Sequence, residues 1–184
     1  MNLYALLDVD LLRANSVSFE EFIEKCEKKK ACLVQYRNKH ADDEVKKKDL
    51  LAIKNMTNIP VIVNDSLDLI DYADGVHLGQ EDISKIDNNI LKAALTVRKK
   101  VGKKLFGLST HNEQEIKIAN NLPLDYIGLG AYRQTCTKEV NNELGEKISA
   151  LALLSTHPVG AIGGVTLEDN IKNVKYYVIG SGLL

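Results

Sequence analysis

Residues 75–82 read Gly-Val-His-Leu-Gly-Gln-Glu-Asp, a short apolar run that passes directly into polar residues able to hold a metal ion or a phosphate. Most other short apolar runs of the chain end in the same way. Proteins built from parallel β/α repeats collect their functional residues at the carboxyl ends of their strands. The pattern therefore indicates fold and functional site together, and it recurs after residues 33–34, 60–63, 127–130 and 159–162.

Eight short apolar runs alternate with segments of helical periodicity. Strands that are buried on both faces read as continuous apolar runs, whereas helices repeat apolar residues every three or four positions. Ser18 and Glu21 have the spacing of a capping box at the start of the first helix. The pattern predicts an α/β fold, a compact (β/α)8 TIM barrel with residues 1–184 as a single domain. Its predicted strands are 3–7, 31–34, 60–63, 75–78, 105–108, 126–129, 159–162 and 176–179.

The length of the chain constrains this barrel. At 184 residues it is shorter than a typical barrel of this class. Several helices must therefore be shortened, notably those after the third, seventh and eighth strands, and only a short helix is expected after Thr166. An open, doubly wound sheet is the alternative fold.

Composition narrows the class of protein. The chain carries 24 basic and 25 acidic residues, so no excess of positive charge is available for non-specific binding of nucleic acid or an anionic membrane. Its three cysteines, Cys26, Cys32 and Cys136, form no C-x-x-C pair, which favours a reducing, cytoplasmic setting. No signal peptide or membrane span is predicted. The oligomeric state stays open, a homo-oligomer included.

Two aspartates, Asp65 and Asp82, each stand just past a predicted strand, and the two strands are predicted to be neighbours. Mg²⁺ is usually held by one or two carboxylates together with phosphate oxygens of the substrate. The pair therefore predicts a Mg²⁺ site at the barrel rim. The alternative is that each aspartate caps the helix that it precedes.

Gln35, Arg37 and Lys39 alternate along the chain as it leaves the second strand, so in an extended conformation their side chains point the same way, toward the barrel axis. Arginine offers a planar fork to phosphate oxygens, and lysine offers a point charge. These residues predict a diphosphate site. The alternative is a surface ion pair of Arg37 with Asp42 or Asp43.

Glycines follow the last two predicted strands, as Gly163 and Gly164 and as Gly180 and Gly182 around Ser181. The loops after strands seven and eight are the recurrent phosphate site of this barrel class. Glycine lets backbone N–H groups approach the anion closely. The residues predict a phosphate monoester site, with ordinary turns as the alternative.

Three further side chains are candidates for chemistry. His111 lies at the end of the fifth strand, where it either serves as a general acid–base group or hydrogen-bonds locally. His77 lies between two apolar residues, which favours a packed histidine of the core. Cys136 has no evident base beside it, which disfavours a role as nucleophile.

Taken in order, these segments resemble the thiamine-phosphate synthase family over nearly the whole chain. The resemblance is strongest in the Gly75-to-Asp82 stretch followed by a Thr-x-Thr-Lys motif. It is carried by residues 35–39, 63–65, 75–82, 107–112, 125–130, 135–138 and 161–165.

The resemblance implies a reaction that joins a hydroxymethylpyrimidine diphosphate to a thiazole phosphate and releases pyrophosphate. It implies that Asp65 and Asp82 hold Mg²⁺. It also implies two groups of substrate contacts. The pyrimidine diphosphate would contact Gln35, Arg37, Lys39, Asn64, Ser109 and Lys138, and the thiazole phosphate would contact Thr135, Thr137, Gly164, Gly180 and Ser181. Of these, Arg37, Lys39, Ser109 and Lys138 are the expected catalytic residues.

A sister branch with the same fold is similar in sequence but isomerises the thiazole phosphate, using a histidine at the position of His111. Members of that branch tend to lack the complete metal and diphosphate set, which this chain carries. A synthase is therefore the favoured interpretation. A thiazole tautomerase and a non-catalytic binder of thiamine precursors are the alternatives.

Overall fold

Eight parallel strands close into a barrel in the computed structural model, which describes residues 2–133 and 143–184. Each strand pairs with the next along the chain, and β1 pairs with β8 to close the ring. The predicted (β/α)8 barrel is confirmed, and the open sheet is wrong. The strands are β1 (Asn2–Asp8), β2 (Leu33–Arg37), β3 (Val61–Asn64), β4 (Gly75–Leu78), β5 (Leu105–Thr110), β6 (Tyr126–Leu129), β7 (Val159–Ile162) and β8 (Tyr176–Ile179).

The helices lie between the strands and are mostly short. The predicted capping box is present, because the Ser18 hydroxyl accepts from the Glu21 N–H and the Glu21 carboxylate accepts from the Ser18 N–H. The α-helices within the described residues are α1 (Val9–Ala14), α2 (Phe19–Lys28), α3 (Asp43–Met56), α4 (Gln80–Ser84), α5 (Ile90–Val101), α6 (Glu113–Ala119) and α7 (Lys147–Ala152). Two 3-10 turns, Leu67–Tyr72 and Ser181–Leu183, follow β3 and β8.

The connection from β7 to β8 corrects one prediction, because the short helix expected after Thr166 does not form. The Asp169 carboxylate accepts from the Thr166 N–H at 2.8 Å and closes a turn. The Ile171 N–H then donates to the Tyr177 hydroxyl at 2.7 Å, so it is not available for a helical bond. A side-chain acceptor thus takes the Ile171 amide, which a helix continuing past Thr166 would have used.

The second strand also differs from its predicted bounds of 31–34. Ala31 lies in the turn that ends α2, since its N–H donates to the Cys26 carbonyl at 2.8 Å. The strand instead continues to Arg37, past the end of the apolar run, because Gln35 and Arg37 find polar partners inside the barrel and at its rim. This shift places both residues on the strand itself.

Strand residues alternate between two layers of the core. On β1, Leu3, Ala5 and Leu7 pack outward against the helices, whereas Tyr4 and Leu6 fill the barrel interior. Edge-on tyrosine rings occupy that interior, with the ring centres of Tyr4 and Tyr126 5.8 Å apart. The inside of the barrel is therefore aromatic and carries hydroxyl groups.

No helix in the part of the chain that the structure describes is long and apolar enough to cross a membrane.

Candidate active site

Two carboxylates meet at the carboxyl end of β3 and β4. Asp65 follows β3, and Asp82 lies in the first turn of α4. Both flank Gly79: its N–H donates to Asp65 Oδ1 at 3.0 Å, and a β-carbon built on Gly79 would lie 3.0 Å from Asp82 Oδ2. Neither carboxylate caps the helix or turn that it precedes or begins. The capping alternative is therefore wrong for both.

The electrostatics of this pair suit a cation. Burial and the neighbouring Asp82 carboxylate raise the pKa of Asp65. Lys85 contacts Asp82 Oδ1 at 2.8 Å, whereas the other oxygen, Oδ2, lies beside Gly79, as does Oδ1 of Asp65. Both aspartates line one cavity of about 420 Å³ beside Ser66. A bound cation would relieve the repulsion between the two carboxylates.

The number of carboxylates limits the kind of metal. Among residues 2–133 and 143–184, no three side chains of histidine, cysteine or acidic type come together as a metal site. Mg²⁺ needs only one or two protein carboxylates when phosphate oxygens complete its shell. The pair Asp65 and Asp82 therefore fits Mg²⁺ bound together with a phosphorylated substrate, and fits a protein-only metal site poorly.

Arg37 ends β2 and forms an ion pair with Asp8, which ends the neighbouring strand β1 and lies opposite it in register. The partner is thus not Asp42 or Asp43, as the alternative to a diphosphate site supposed. Asp42 instead caps α3 by accepting from the Val45 N–H. The Asp8 side chain is 3 % exposed and the Arg37 side chain 15 % exposed, so the pair lies at the inner edge of the rim.

Gln35 and Lys39, which lie two positions before and after Arg37, are in different environments. Gln35 is buried and donates from Nε2 to the Tyr4 hydroxyl at 2.8 Å, so it faces the barrel axis as predicted. Lys39 lies beyond the strand end and is exposed. Because it is outside the strand, its direction is no longer tied to that of Gln35.

Asn64 and Ser109 occupy the same rim on β3 and β5, on either side of β4. The Asn64 amide donates to the Asp65 carboxylate. The Ser109 hydroxyl lies 2.9 Å from His77 Nε2, and the Ser109 carbonyl accepts from Gln80 Nε2 at 2.6 Å. The ends of β3 and β5 therefore present an amide and a hydroxyl at the same rim as the Asp65 carboxylate.

His77 is the packed core histidine that the sequence predicts. Its Nδ1 lies 3.1 Å from the Tyr126 hydroxyl, and burial lowers its pKa to about 4. The ring fits only because two neighbouring strand positions are glycine. A β-carbon on Gly107 would lie 2.2 Å from Tyr126 Cζ and 2.6 Å from His77 Nδ1, and one on Gly128 would lie 3.1 Å from His77 Cε1.

We expect Gly107→Ala to lower the free energy of unfolding by about 1–3 kcal/mol, the usual cost of forcing extra volume into a packed core. Denaturant unfolding would measure the change. Gly160→Ala is the matched control on β7, since its added carbon meets one side-chain atom at 3.1 Å and no other atom closer than 3.6 Å. Equal losses in the two variants would show that the space around Gly107 is not specific to the two rings.

The glycines after β7 and β8 lie at the same end of the barrel. Gly163 and Gly164 have φ angles of +91° and +64°, which favour glycine. Gly164 and Ser181 are exposed. Arg133 binds this loop, donating to the Gly164 carbonyl at 2.9 Å and forming an ion pair with Asp169. The loop geometry is compatible with a phosphate site, and that role stays a prediction.

His111 makes the local hydrogen bond that was one of its two predicted roles. Its Nδ1 lies 2.9 Å from the Glu115 carboxylate, one turn along α6, and its side chain is 44 % exposed. The Glu115 carboxylate also accepts from the His111 N–H. This pairing anchors the start of the helix.

Thr135, Thr137 and Lys138 lie outside the described residues, as does Cys136. Their predicted contacts with the thiazole phosphate and with the diphosphate stay predictions.

Several polar residues of this region were not predicted as functional. Asp8 carried a usable signal, because it ends the first apolar run just as Asp65 follows the third. Tyr4 and Tyr126 carried none, since tyrosine in an apolar strand reads as ordinary core. Arg133 and Asp169 are 36 residues apart, and nothing in the sequence joins them.

The fold and the residues at the barrel rim together define a (β/α)8-barrel enzyme. At the carboxyl ends of its strands it carries a carboxylate pair and an arginine side chain held by an ion pair. The sequence model of the family described as thiamine monophosphate synthase matches residues 3–179. The chain belongs to this family of thiamine biosynthesis enzymes, so the predicted family is confirmed.

Individual relatives agree. The chain is 35 % identical over 181 residues to a thiamine-phosphate synthase of Persephonella marina, covering 95 % of this chain and 81 % of the relative. It is 35 % identical over 182 residues to a thiamine-phosphate synthase of Vibrio campbellii, covering 95 % and 84 % of the two chains. Proteins of that name are transferases, as predicted.

Solved structures support the fold. A thiamine phosphate pyrophosphorylase from Pyrococcus furiosus superimposes with a TM-score of 0.79 at 21 % identity, covering 98 % of this chain and 85 % of that one. An N-acetylmannosamine-6-phosphate 2-epimerase from Clostridium perfringens reaches 0.64 at 14 % identity, covering 99 % and 87 %. At these identities the likeness concerns the barrel.

Proposed function

We propose that the chain is a Mg²⁺-dependent thiamine-phosphate synthase, which couples hydroxymethylpyrimidine diphosphate to thiazole phosphate and releases pyrophosphate. Membership in the family supports the reaction class. The observation that carries the proposal is the meeting of Asp65 and Asp82 at Gly79, between the strands that present Arg37 and Ser109. A bound metal ion and nearby cationic side chains both stabilise a departing diphosphate.

The reaction breaks the C–O bond between the pyrimidine methylene and the diphosphate, and the electron pair leaves with the oxygen. The lone pair of the thiazole nitrogen then forms the new C–N bond to that methylene carbon. Negative charge grows on the departing diphosphate, so groups that stabilise this charge lower the barrier. The electron-rich pyrimidine carries the positive charge, and the protein mainly has to hold the partners in line.

The residues of the rim divide these tasks. Arg37, held by Asp8, would bind the diphosphate with Lys39 and Lys138, while Gln35, Asn64 and Ser109 would contact the pyrimidine half of the site. Thr135, Thr137, Gly164, Gly180 and Ser181 would hold the phosphate of the thiazole. Asp65 and Asp82 would hold Mg²⁺. When bound, the metal supplies positive charge to the phosphate oxygens.

Release of pyrophosphate by the purified chain tests the proposal. Product should form only when both substrates and Mg²⁺ are present. Omission of the thiazole phosphate is the control for simple hydrolysis of the diphosphate. Absence of pyrophosphate release under the complete conditions would contradict the proposal.

His111 separates the synthase from the tautomerase. The thiazole nitrogen attacks as a neutral lone pair, so coupling needs no strong base, and we expect His111→Ala to retain at least about a tenth of the coupling rate. A tautomerase that lost its acid–base group would fall by about 10²–10⁴-fold. Glu115→Gln is the matched variant, because it removes the carboxylate charge beside His111 but keeps the ring.

Two outcomes of the same assays would favour the alternatives. Wild-type protein that releases no pyrophosphate but isomerises the thiazole phosphate in a His111-dependent way would be a tautomerase. Protein that does neither, yet binds one precursor in calorimetry, would be a non-catalytic binder.

A further inference from the structure

A chain of hydrogen bonds crosses the inside of the barrel from Gln35 to Ser109. Gln35 Nε2 lies 2.8 Å from the Tyr4 hydroxyl, which lies 2.8 Å from the Tyr126 hydroxyl. Tyr126 contacts His77 Nδ1 at 3.1 Å, and His77 Nε2 contacts the Ser109 hydroxyl at 2.9 Å. The five residues come from β2, β1, β6, β4 and β5. The three middle members are buried, and the two ends are residues of the candidate site.

The orientation of the Gln35 amide, with Nε2 toward Tyr4, sets the direction of this chain. The Gln35 amide nitrogen can only donate, so the Tyr4 oxygen accepts from it. Tyr4 has one hydroxyl hydrogen, and among the described residues its other hydrogen-bond partner is Tyr126. A buried hydroxyl hydrogen without an acceptor is costly. Tyr4 therefore donates to Tyr126.

The same reasoning carries the direction to the rim. Tyr126 accepts from Tyr4, so its own hydrogen goes to His77 Nδ1. Burial disfavours a charged ring, so His77 has one ring hydrogen, which must then be on Nε2. That N–H donates to the Ser109 oxygen. The Ser109 hydrogen is left to point away from His77.

We propose that Tyr4, Tyr126 and His77 are positioning residues, which hold Ser109 as a hydrogen-bond donor toward the ligand. This inference rests on the proposed function, which places the pyrimidine diphosphate against Ser109. Phosphate oxygens and aromatic ring nitrogens are acceptors, so a serine locked as a donor suits this ligand. With the opposite direction of the chain, the Ser109 hydrogen would be taken up by His77.

The shape of the interior supports this role. Gly107 and Gly128 leave room for the His77 and Tyr126 rings to approach each other. Tyr176 packs edge-on against the same tyrosines, with its ring centre 6.0 Å from that of Tyr126. Its hydroxyl makes no hydrogen bond to residues 2–133 or 143–184. Tyr176 thus fills space beside the chain without belonging to it.

The tautomer of His77 in the ligand-free protein is the direct test. Nitrogen-15 NMR near neutral pH distinguishes a ring protonated at Nε2 from one protonated at Nδ1, and His77→Gln identifies the signal by its loss. We expect the Nε2–H form in the wild type and a smaller share of it in Tyr126→Phe. Tyr176→Phe should leave the spectrum of the ring unchanged. A wild-type Nδ1–H ring would overturn the proposal, whether or not the Tyr126 variant folds.

Kinetics supplies the second arm. Loss of one neutral hydrogen bond is worth about 0.5–1.5 kcal/mol, so Tyr126→Phe should lower kcat/KM for the pyrimidine diphosphate by about two- to thirteenfold, with Tyr176→Phe near the wild type. In a Ser109→Ala background the Tyr126 change should have little further effect. Full additivity would mean that Tyr126 does not act through Ser109. A chain that releases no pyrophosphate refutes the proposed function, while the NMR result still decides the direction of the hydrogen bonds.

Discussion

Asp82→Asn should reduce Mg²⁺-dependent release of pyrophosphate at least about 100-fold, the usual order of effect when an electrostatic stabiliser of the transition state is lost. The amide keeps the shape of the side chain but removes the charge that faces Asp65 across Gly79. The fold should survive, because Asp82 makes no capping bond to α4. Steady-state rates at several Mg²⁺ concentrations would measure the effect.

Glu81→Gln is the matched control, since Glu81 is the adjacent acidic residue of the same helical turn and is exposed. It should keep nearly full activity. Circular dichroism of both variants would show whether the barrel is intact. An active Asp82→Asn enzyme, or one that loses its fold, would mean that this carboxylate is structural and that the metal lies elsewhere.

Arg37→Ala should have two separable effects. It removes the charge-assisted contact that we propose Arg37 makes to the diphosphate, which would be worth about 1.5–3 kcal/mol of pyrophosphate binding. It also leaves the Asp8 carboxylate, 3 % exposed, without its partner. Breaking a buried ion pair from one side costs about 3–5 kcal/mol of folding free energy. Calorimetry and denaturant unfolding would measure the two quantities.

The double variant Asp8→Asn/Arg37→Ala separates these effects. Asparagine can still accept the Asp10 and Leu11 amides at the start of α1, and it carries no charge that needs a partner. Stability should therefore recover while pyrophosphate affinity stays low. Recovery of both would mean that Arg37 serves the fold alone and that the anion is bound by other residues.

The barrel could be predicted because its strands are buried on both faces and so appear as uninterrupted apolar runs. The limits of four strands, β4, β6, β7 and β8, match the predicted ones. β2 does not, since Gln35 and Arg37 are polar and their partners lie on β1. The missing helix after Thr166 depends on the Tyr177 hydroxyl, a contact that no local pattern contains.

The candidate site, too, could be predicted from the sequence only in part. Single residues such as Asp65, Asp82 and Ser109 could be chosen because they follow strands, and parallel strands share one rim. The sequence could not predict which of these side chains contact each other. Asp8 and Arg37 are 29 positions apart, and Tyr126 and His77 are 49 positions apart. Local spacing identifies which groups reach the rim, and only the closed barrel decides which of them touch.

Gly107 and Tyr126 lie opposite each other in the register of β5 and β6. The Tyr126 ring fills the space that a side chain at position 107 would need. The two positions therefore share one fixed volume inside the barrel. Among relatives, a larger residue at the position of Gly107 should therefore occur together with a smaller one at that of Tyr126. The sizes of the two residues should vary inversely. A larger residue at position 107 alone would clash with the tyrosine ring, and a smaller residue at position 126 alone would leave a void.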